Sequence, residues 1–200
     1  METSLDNENS ETIECYSTSS ILRRAKKRAK SESVSTITLA LLNTRLGKTK
    51  AKHFKDLRVL LDSGCSGTMV NKNFLKKLRT KSAKEQSWTT KSGTFTTSGK
   101  CKVSFSFPEF DANREIEWDV HVDQSDSSQS TYDMIVGRDL LEALGIDLLF
   151  SEKMMNWDGA TVPMRNVKMF SPENRADLME EIYLAHDVIT TEAERNPKTY

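Results

Sequence analysis

The sequence predicts an all-β barrel or sandwich with one short helix for residues 36–165. Two segments, 101–107 and 114–123, alternate apolar and polar residues with the period of two that is typical of half-buried strands. Further apolar runs at 35–45 and 54–62 are bounded by turn-forming residues, which favours short strands. The clearest helical pattern of this region follows Gly137 and ends at Gly145.

Composition predicts one domain of ordinary size with tails. The chain has 200 residues, of which 36% are hydrophobic, and its mean hydropathy is −0.57. We therefore expect a modest core, a disordered segment over 1–35 and a linker over 166–200. Ser171 and Pro172 can begin an amphipathic helix in that linker, and we expect this helix to lie outside the β domain. No apolar run approaches the length of a membrane span.

Charge is balanced overall and uneven along the chain. The net charge is zero, which argues against a chain that binds polyanions over its whole surface. The first twenty residues contain five acidic residues and no basic one, whereas residues 21–30 contain six basic residues and no acidic one. The basic run, Arg23–Lys30, is either a solvated linker, a nuclear-import signal or a weak nucleic-acid contact. Nothing in the pattern predicts a membrane partner.

Cysteine and histidine usage argues against a disulfide framework or a metal centre. The three cysteines, Cys15, Cys65 and Cys101, form no CxxC pair, so a reducing compartment is the simpler interpretation. We expect no cofactor, and we expect a cytoplasmic protein or a component of a virus-like particle, with nuclear import as the alternative. His121 falls on the outward face of its strand, which favours a surface role over catalysis.

The segment RVLLDSGCSGTMVN (58–71) places a carboxylate at the end of an apolar strand. Burying an ionised carboxylate is costly unless it is paired or hydrogen-bonded, so Asp62 either caps a turn or serves chemistry. Two other interpretations fit poorly. A phosphodegron requires Ser where Gly67 stands, and GCSG (64–67) misses the G-x-S-x-G nucleophile elbow by one residue.

Two later segments give the Asp-Ser-Gly triplet a context. An exposed hairpin is expected over 88–99, with its tip at Ser92, Gly93 and Thr94. An apolar strand then continues into the segment IVGRDLL (135–141). In this order and spacing, the chain resembles the retropepsin-like aspartic proteases of retroviruses and LTR retrotransposons. The Gly-Arg-Asp-Leu-Leu form is most similar to that of gypsy-type retrotransposon polyproteins.

The resemblance implies a retropepsin-like closed β-barrel and a shared active site. Asp62 would be catalytic, the Ser63 hydroxyl would hydrogen-bond across a dimer, and Gly64 would allow close approach to the carboxylates. Only one Asp-Ser/Thr-Gly triplet is present, so the second carboxylate would come from a second copy in a homodimer. The hairpin around Gly93 would close over an extended peptide substrate.

The resemblance also assigns structural roles next to the site. Gly137 would pack near the active loop, and Arg138 would anchor the helix. Ser66 stands where many retroviral enzymes have the Asp that pairs with this Arg, so Asp139 or another carboxylate would have to replace it.

The function implied is an aspartic endopeptidase that processes a retrotransposon polyprotein between apolar side chains. The alternative is a catalytically inactive retropepsin-like dimerisation module with a basic nucleic-acid-binding segment. A cellular retropepsin-like domain, as in ubiquitin-shuttle proteases, is disfavoured by the Gly-Arg-Asp-Leu-Leu form and by the absence of a ubiquitin-like segment.

Overall fold

The computed structural model describes residues 33–44, 54–90, 93–125 and 130–184. The expected disordered segment over 1–35 and the basic run Arg23–Lys30 lie almost wholly outside these ranges. Within them most residues belong to β-strands, and one short α-helix follows the seventh strand. The predicted all-β class is therefore confirmed.

Seven strands form the main sheet in the order β1-β2-β7-β3-β6-β5-β4, and a further pairing of β1 with β5 closes six of them into a barrel. Closure occurs where Leu41 and Leu42 of the first strand lie opposite Ser106 and Phe105 of the fifth. Closure leaves β4 as the added outer strand of the sheet. The bounds are β1 Ile37–Asn43, β2 Phe54–Leu61, β3 Met69–Asn71, β4 Thr80–Thr90, β5 Gly93–Phe107, β6 Asp111–Asp123 and β7 Met134–Val136.

Parallel pairing of β2 with β7 determines where the functional loop lies. Leu61 at the end of β2 is opposite Val136 at the end of β7. Parallel strands end at the same edge of a sheet, so the residues that follow them become neighbours. Asp62 and Gly137, 75 positions apart in the numbering, therefore meet at this edge. At a greater distance from this edge, Arg58 of β2 forms an ion pair of 2.8 Å with the buried Asp133, which directly precedes β7.

A helix and a small second sheet follow the barrel. Helix α1 (Arg138–Leu144) ends at Gly145, whose φ of 69° is the left-handed conformation expected of a helix stop. The second sheet has three short strands, β8 (Asp147–Leu149), β9 (Met154–Trp157) and β10 (Ala160–Pro163). They pair in the order β10-β9-β8, which leaves β8 at an edge of this sheet.

The core is continuous between the barrel and the second sheet. The inward residues predicted for β5 and β6 are buried, with the exception of Trp118, which is only partly buried. The buried inward residues are Val103, Phe105, Phe107, Ile116, Val120 and Val122. Phe107 of the barrel also contacts the ring of Trp157 of the second sheet edge to face, with centroids 6.1 Å apart.

The C-terminal helix, described over 175–184, packs against the barrel. Leu178 and Ile182 are buried together with Ile37 and Leu39 of β1. The predicted apolar face is therefore correct for these two residues. The expectation that the helix lies outside the β domain is wrong for its described part, because β1 presents apolar side chains on its outer face that need cover. The remaining face residues, Ala185 and Ile189, are outside the described ranges.

The hairpin of β4 and β5 is longer than the sequence predicted. β4 begins at Thr80, whereas the sequence indicated strand structure only from Trp88. Most of β4 is exposed on both faces, so it lacks the apolar alternation on which strand prediction depends. The preceding segment contains the 3-10 turn Lys72–Phe74, whose Asn73 N–H donates to the capping Asn71 Oδ1 at 3.0 Å.

Candidate active site

Asp62 is the first residue after β2, and its backbone continues the sheet by one bond. Its N–H donates to the carbonyl of Val136 at 2.9 Å. The side chain is half-buried, whereas the next two residues, Ser63 and Gly64, are exposed. The Asp62 carboxylate is therefore held where β2 and β7 end side by side, next to an exposed turn.

The Asp-Ser-Gly turn is built around the Asp62 carboxylate itself. The Gly64 N–H donates to Oδ1 at 2.8 Å, and the Cys65 N–H donates to the Asp62 carbonyl at 3.2 Å. A Cβ at Gly64 would lie 3.1 Å from Oδ1, so glycine gives the amide its close approach. Within the described residues Oδ2 accepts no hydrogen bond. The turn interpretation and the chemical one are thus compatible, because one oxygen is fixed and the other is available.

Gly137 packs directly on the far side of this loop, as the sequence predicted. A Cβ at Gly137 would lie 2.6 Å from the backbone carbon and oxygen of Gly67, a distance that side chains do not adopt. The Arg138 N–H also donates to the Cys65 carbonyl at 2.8 Å. The loop from Asp62 to Gly67 is therefore closed against the beginning of α1, and only glycine fits at position 137.

A buried network between Thr68 and Asp139 completes this closure, and the sequence did not reveal it. The Thr68 hydroxyl donates to Asp139 Oδ1 at 2.7 Å, and its N–H donates to Oδ2 at 3.1 Å. The same hydroxyl accepts from the Gly137 N–H at 3.1 Å. Asp139 also accepts from Trp118 Nε1 at 3.3 Å and from its own neighbour, the Leu140 N–H, at 2.8 Å. The first turn of α1 is thereby tied to the loop that carries Asp62.

Arg138 has no partner among the described residues for the anchoring role that the resemblance implies, so that role stays a prediction. Its side chain is exposed and makes no hydrogen bond or ion pair to any residue that the structure describes. Asp139 is not its partner either, because that carboxylate already accepts the four bonds above. Asp139 rather than Arg138 therefore joins the helix to the loop, and Ser66 remains exposed nearby.

The β4–β5 hairpin reaches the same loop through one aromatic side chain. A Cβ at Gly67 would lie 2.7 Å from Cη2 of Trp88, so the indole rests on the Gly67 backbone. Trp88 Nε1 donates to Thr97 Oγ1 on the opposite strand at 2.9 Å. Gly67 is thus enclosed between Gly137 on one side and the hairpin on the other.

His121 belongs to this contact rather than to the open surface. Its ring meets Trp88 edge to face, with centroids 5.0 Å apart, and Nδ1 lies 3.2 Å from Thr97 Oγ1. Burial lowers the pKa of His121, the nearby Lys100 lowers it further and Asp139 opposes them. The expected surface role is therefore only partly correct, because the half-buried ring supports the base of the hairpin.

The tip of the hairpin is only partly described. Gly93 and Thr94 are exposed and begin β5, with Gly93 opposite Thr90 and at a φ of 134°. Ser92, the third residue predicted at the tip, lies outside the described ranges. The structure thus has a hairpin over 88–99, and its assignment to substrate binding remains a prediction.

Cys65 fills the interior of the loop. Burial raises the pKa of its thiol, and the neighbouring Asp62 and Asp139 act in the same direction. The Sγ–H donates to the Gly67 carbonyl at 3.1 Å. A protonated thiol therefore supports the turn from inside, in keeping with the compact apolar group predicted at this position.

A shallow cavity of about 420 Å³ opens beside the exposed turn. Ser63 and Arg138 line one part of it, and Leu148 and Phe150 line another. Phe150 is 65% exposed, which makes it the most exposed large apolar side chain of the described chain. The Ser63 hydroxyl has no hydrogen-bond partner among the described residues.

The described residues contain no group of three or more His, Cys, Asp or Glu side chains that could hold a metal ion. No helix among them is long and apolar enough to cross a membrane.

Comparisons with known proteins give structural likenesses only. No family model matches the sequence, and no curated protein matches it. The retroviral protease-like domain of Ddi1 from Leishmania major aligns over 68% of this chain and 98% of its own, with 12% identity and a TM-score of 0.44. The EIAV protease, complexed with the inhibitor HBY-793, aligns over 57% of this chain and 92% of its own, with 20% identity and a TM-score of 0.39. The chemical assignment therefore depends on the geometry of the chain itself.

Replacing Asp139 by Asn tests whether this carboxylate fixes the loop. The amide has one acceptor oxygen instead of two, so it opposes at least one of the present donors with an N–H group. We expect the free energy of unfolding to fall by about 2–4 kcal/mol, as measured by urea denaturation. Glu142→Gln, on an exposed position of the same helix, should change it by less than about 0.5 kcal/mol. Equal stability of the two variants would argue against the network.

Proposed function

We propose that the chain is an aspartic endopeptidase whose active unit is a homodimer. The observation that carries the proposal is the Asp62 loop, in which one carboxylate oxygen is fixed by the Gly64 amide. Contacts from Gly137, Asp139 and Trp88 hold the same loop on its other sides. A turn that only connected two strands would not require this support from three separate elements.

The chemistry requires a second carboxylate. Two aspartates about 3 Å apart cannot both ionise, so they share one proton and titrate as a pair. The ionised partner removes a proton from the attacking water, while the protonated partner donates to the scissile carbonyl or to the leaving nitrogen. The sequence contains one Asp-Ser/Thr-Gly triplet, and the nearby Asp139 is already engaged by Thr68 and Trp118. The proposal therefore assigns the second carboxylate to the Asp62 of another copy.

The turn beside Asp62 is the surface that a second copy would cover. Ser63 shares a cavity with Phe150, which follows the edge strand β8. Covering Phe150 in a dimer would remove this apolar side chain from water, which favours association. In the proposed dimer, each Ser63 hydroxyl would reach the loop of the opposite copy.

The proposed substrate is an extended segment of a polyprotein. The β4–β5 hairpin offers strand edges and exposed tip residues, Gly93 and Thr94, to a peptide lying across the loop. The hairpin is attached to the loop through Trp88, so its position depends on the catalytic turn. Processing of a retrotransposon polyprotein between apolar side chains is the form of this activity that the motif resemblance supports.

Asp62→Asn should abolish peptide cleavage while leaving the fold unchanged. An amide cannot act as general base, so kcat/KM should fall by at least about 10²-fold. The measurement is cleavage of a peptide library rich in apolar pairs between about pH 4 and 7. Asp158→Asn, in the exposed Asp-Gly turn between β9 and β10, is the matched control and should keep full activity.

Two outcomes would oppose the enzyme assignment. Cleavage that persists in Asp62→Asn would show that another group carries the reaction. A folded wild-type dimer without any cleavage would identify the alternative, a catalytically inactive dimerisation module.

Phe150→Ser should weaken the dimer and, with it, the activity. Removing a large apolar side chain from the centre of an interface weakens association by at least about tenfold. Sedimentation equilibrium measures the dissociation constant, and activity at a limiting chain concentration should fall in parallel. Phe54→Ser is the control: Phe54 is 50% exposed and stands at the opposite end of β2 from Asp62. If Phe150→Ser changes the dissociation constant of the dimer no more than Phe54→Ser does, Phe150 is not part of the interface.

A further inference from the structure

A strongly basic surface at the base of the β4–β5 hairpin has no role in the function proposed above. Residues 72–84 contain six basic side chains and no acidic one, in a chain whose net charge is zero. The segment covers the 3-10 turn after β3 and the first half of β4. Lys72 is exposed as well, but its Nζ donates to the Gln124 carbonyl at 2.7 Å. The other five basic residues, with Lys100 of the adjacent strand, are called the basic surface here: Lys76, Lys77, Arg79, Lys81, Lys84 and Lys100.

Strand pairing concentrates this charge. Lys81 of β4 lies directly opposite Lys100 of β5. Lys100 is in turn opposite His121 of β6, so three nitrogen-bearing side chains occupy adjacent positions across three strands. Like charges directly opposite one another destabilise a sheet, so folding alone does not favour this arrangement.

The charges of the basic surface are not compensated within the described chain. None of its six side chains makes an ion pair or hydrogen bond to a described residue. Lys102, the next basic residue after Lys100 on β5, behaves differently. It lies across from the acidic β6 and forms an ion pair with Glu117 at 2.6 Å. The sheet can therefore neutralise a lysine with a facing acid, and it does not do so at the basic surface.

We propose that the basic surface binds the phosphate backbone of nucleic acid. Phosphates attract clustered ammonium and guanidinium groups, and release of their counterions drives the binding. Lys81 and Lys100 share one face of the β4–β5 pair because they are directly opposite each other, so their ammonium groups can contact neighbouring phosphates. Acidic peptides, by contrast, gain affinity from buried apolar anchors, and no large apolar side chain is buried between Arg79 and Lys84.

The basic surface can be separated from peptide cleavage by mutation. Its members on β4, Lys81 and Lys84, lie nine and six positions before Thr90 near the hairpin tip, or at most roughly 20–30 Å in an extended strand. A phosphate backbone on the basic surface would therefore contact the base of the hairpin rather than the tip residues offered to the peptide.

The test is the salt dependence of binding to a fluorescent 20-nucleotide oligo-dT, followed by anisotropy with the full chain. Each phosphate contact contributes about 0.7 to the slope of log K against log salt concentration for single strands. Changing Lys76, Lys77, Arg79, Lys81 and Lys84 together to Gln should reduce the slope by up to about 3.5 and the affinity at least tenfold. Lys102→Gln, on the same strand pair, should change neither.

Two controls separate loss of binding from other effects. The fivefold variant should unfold at the same or a higher temperature than wild type, since it removes like-charge repulsion. A separate variant, in which the basic residues of Arg23–Lys30 are changed to Gln, should keep the part of the salt slope that the basic surface contributes.

Two results would overturn the proposal. One is a salt slope of the fivefold variant equal to that of wild type, and the other is binding of a poly-glutamate peptide as tight as that of the oligonucleotide. Because peptide cleavage is not involved, failure here leaves the proposed protease function untouched.

Discussion

The contact between the backbones of Gly67 and Gly137 is the constraint on which the candidate site depends. A side chain at position 137 would collide with the Gly67 backbone at 2.6 Å, so the ends of two distant segments touch without intervening atoms. The Thr68–Asp139 hydrogen bonds hold this contact from behind, and the Trp88 indole covers it from the hairpin side. Barrel, helix and hairpin therefore converge on a loop of only a few residues.

This convergence gives Asp62 a fixed position without surrounding it. The loop behind the carboxylate is closed by buried groups, while Ser63 and Gly64 in front of it remain exposed. A site shared between two copies requires this combination of a fixed loop and an exposed turn. Each copy would supply one carboxylate and cover the exposed turn of the other. The exposed Phe150 near Ser63 is consistent with the same division. The nucleic-acid contact proposed for the basic surface is a separate activity, because it does not use Asp62.

The sequence predicted those features that local patterns can carry. Alternation identified β5 and β6, and the apolar runs before Asp62 and Gly137 identified two strand ends that the fold does bring together. The Thr68–Asp139 and Trp88–Gly67 contacts were missed because each joins residues 21 to 71 positions apart without any periodic signal. The anchoring role of Arg138 was taken from the family resemblance, whereas among the described residues the neighbouring Asp139 accepts the hydrogen bonds of the loop. The polar β4 and the docking of the C-terminal helix were missed because neither depends on sequence periodicity alone.

The most direct test of the shared site is a mixing experiment with wild-type and Asp62→Asn chains. At a total concentration well above the dimer dissociation constant, nine parts of the variant should capture most wild-type chains in dimers with a single Asp62. Cleavage per wild-type chain should then fall by about tenfold, since only wild-type pairs contain both carboxylates. Cleavage that stays proportional to the amount of wild-type chain would contradict a site built from two copies.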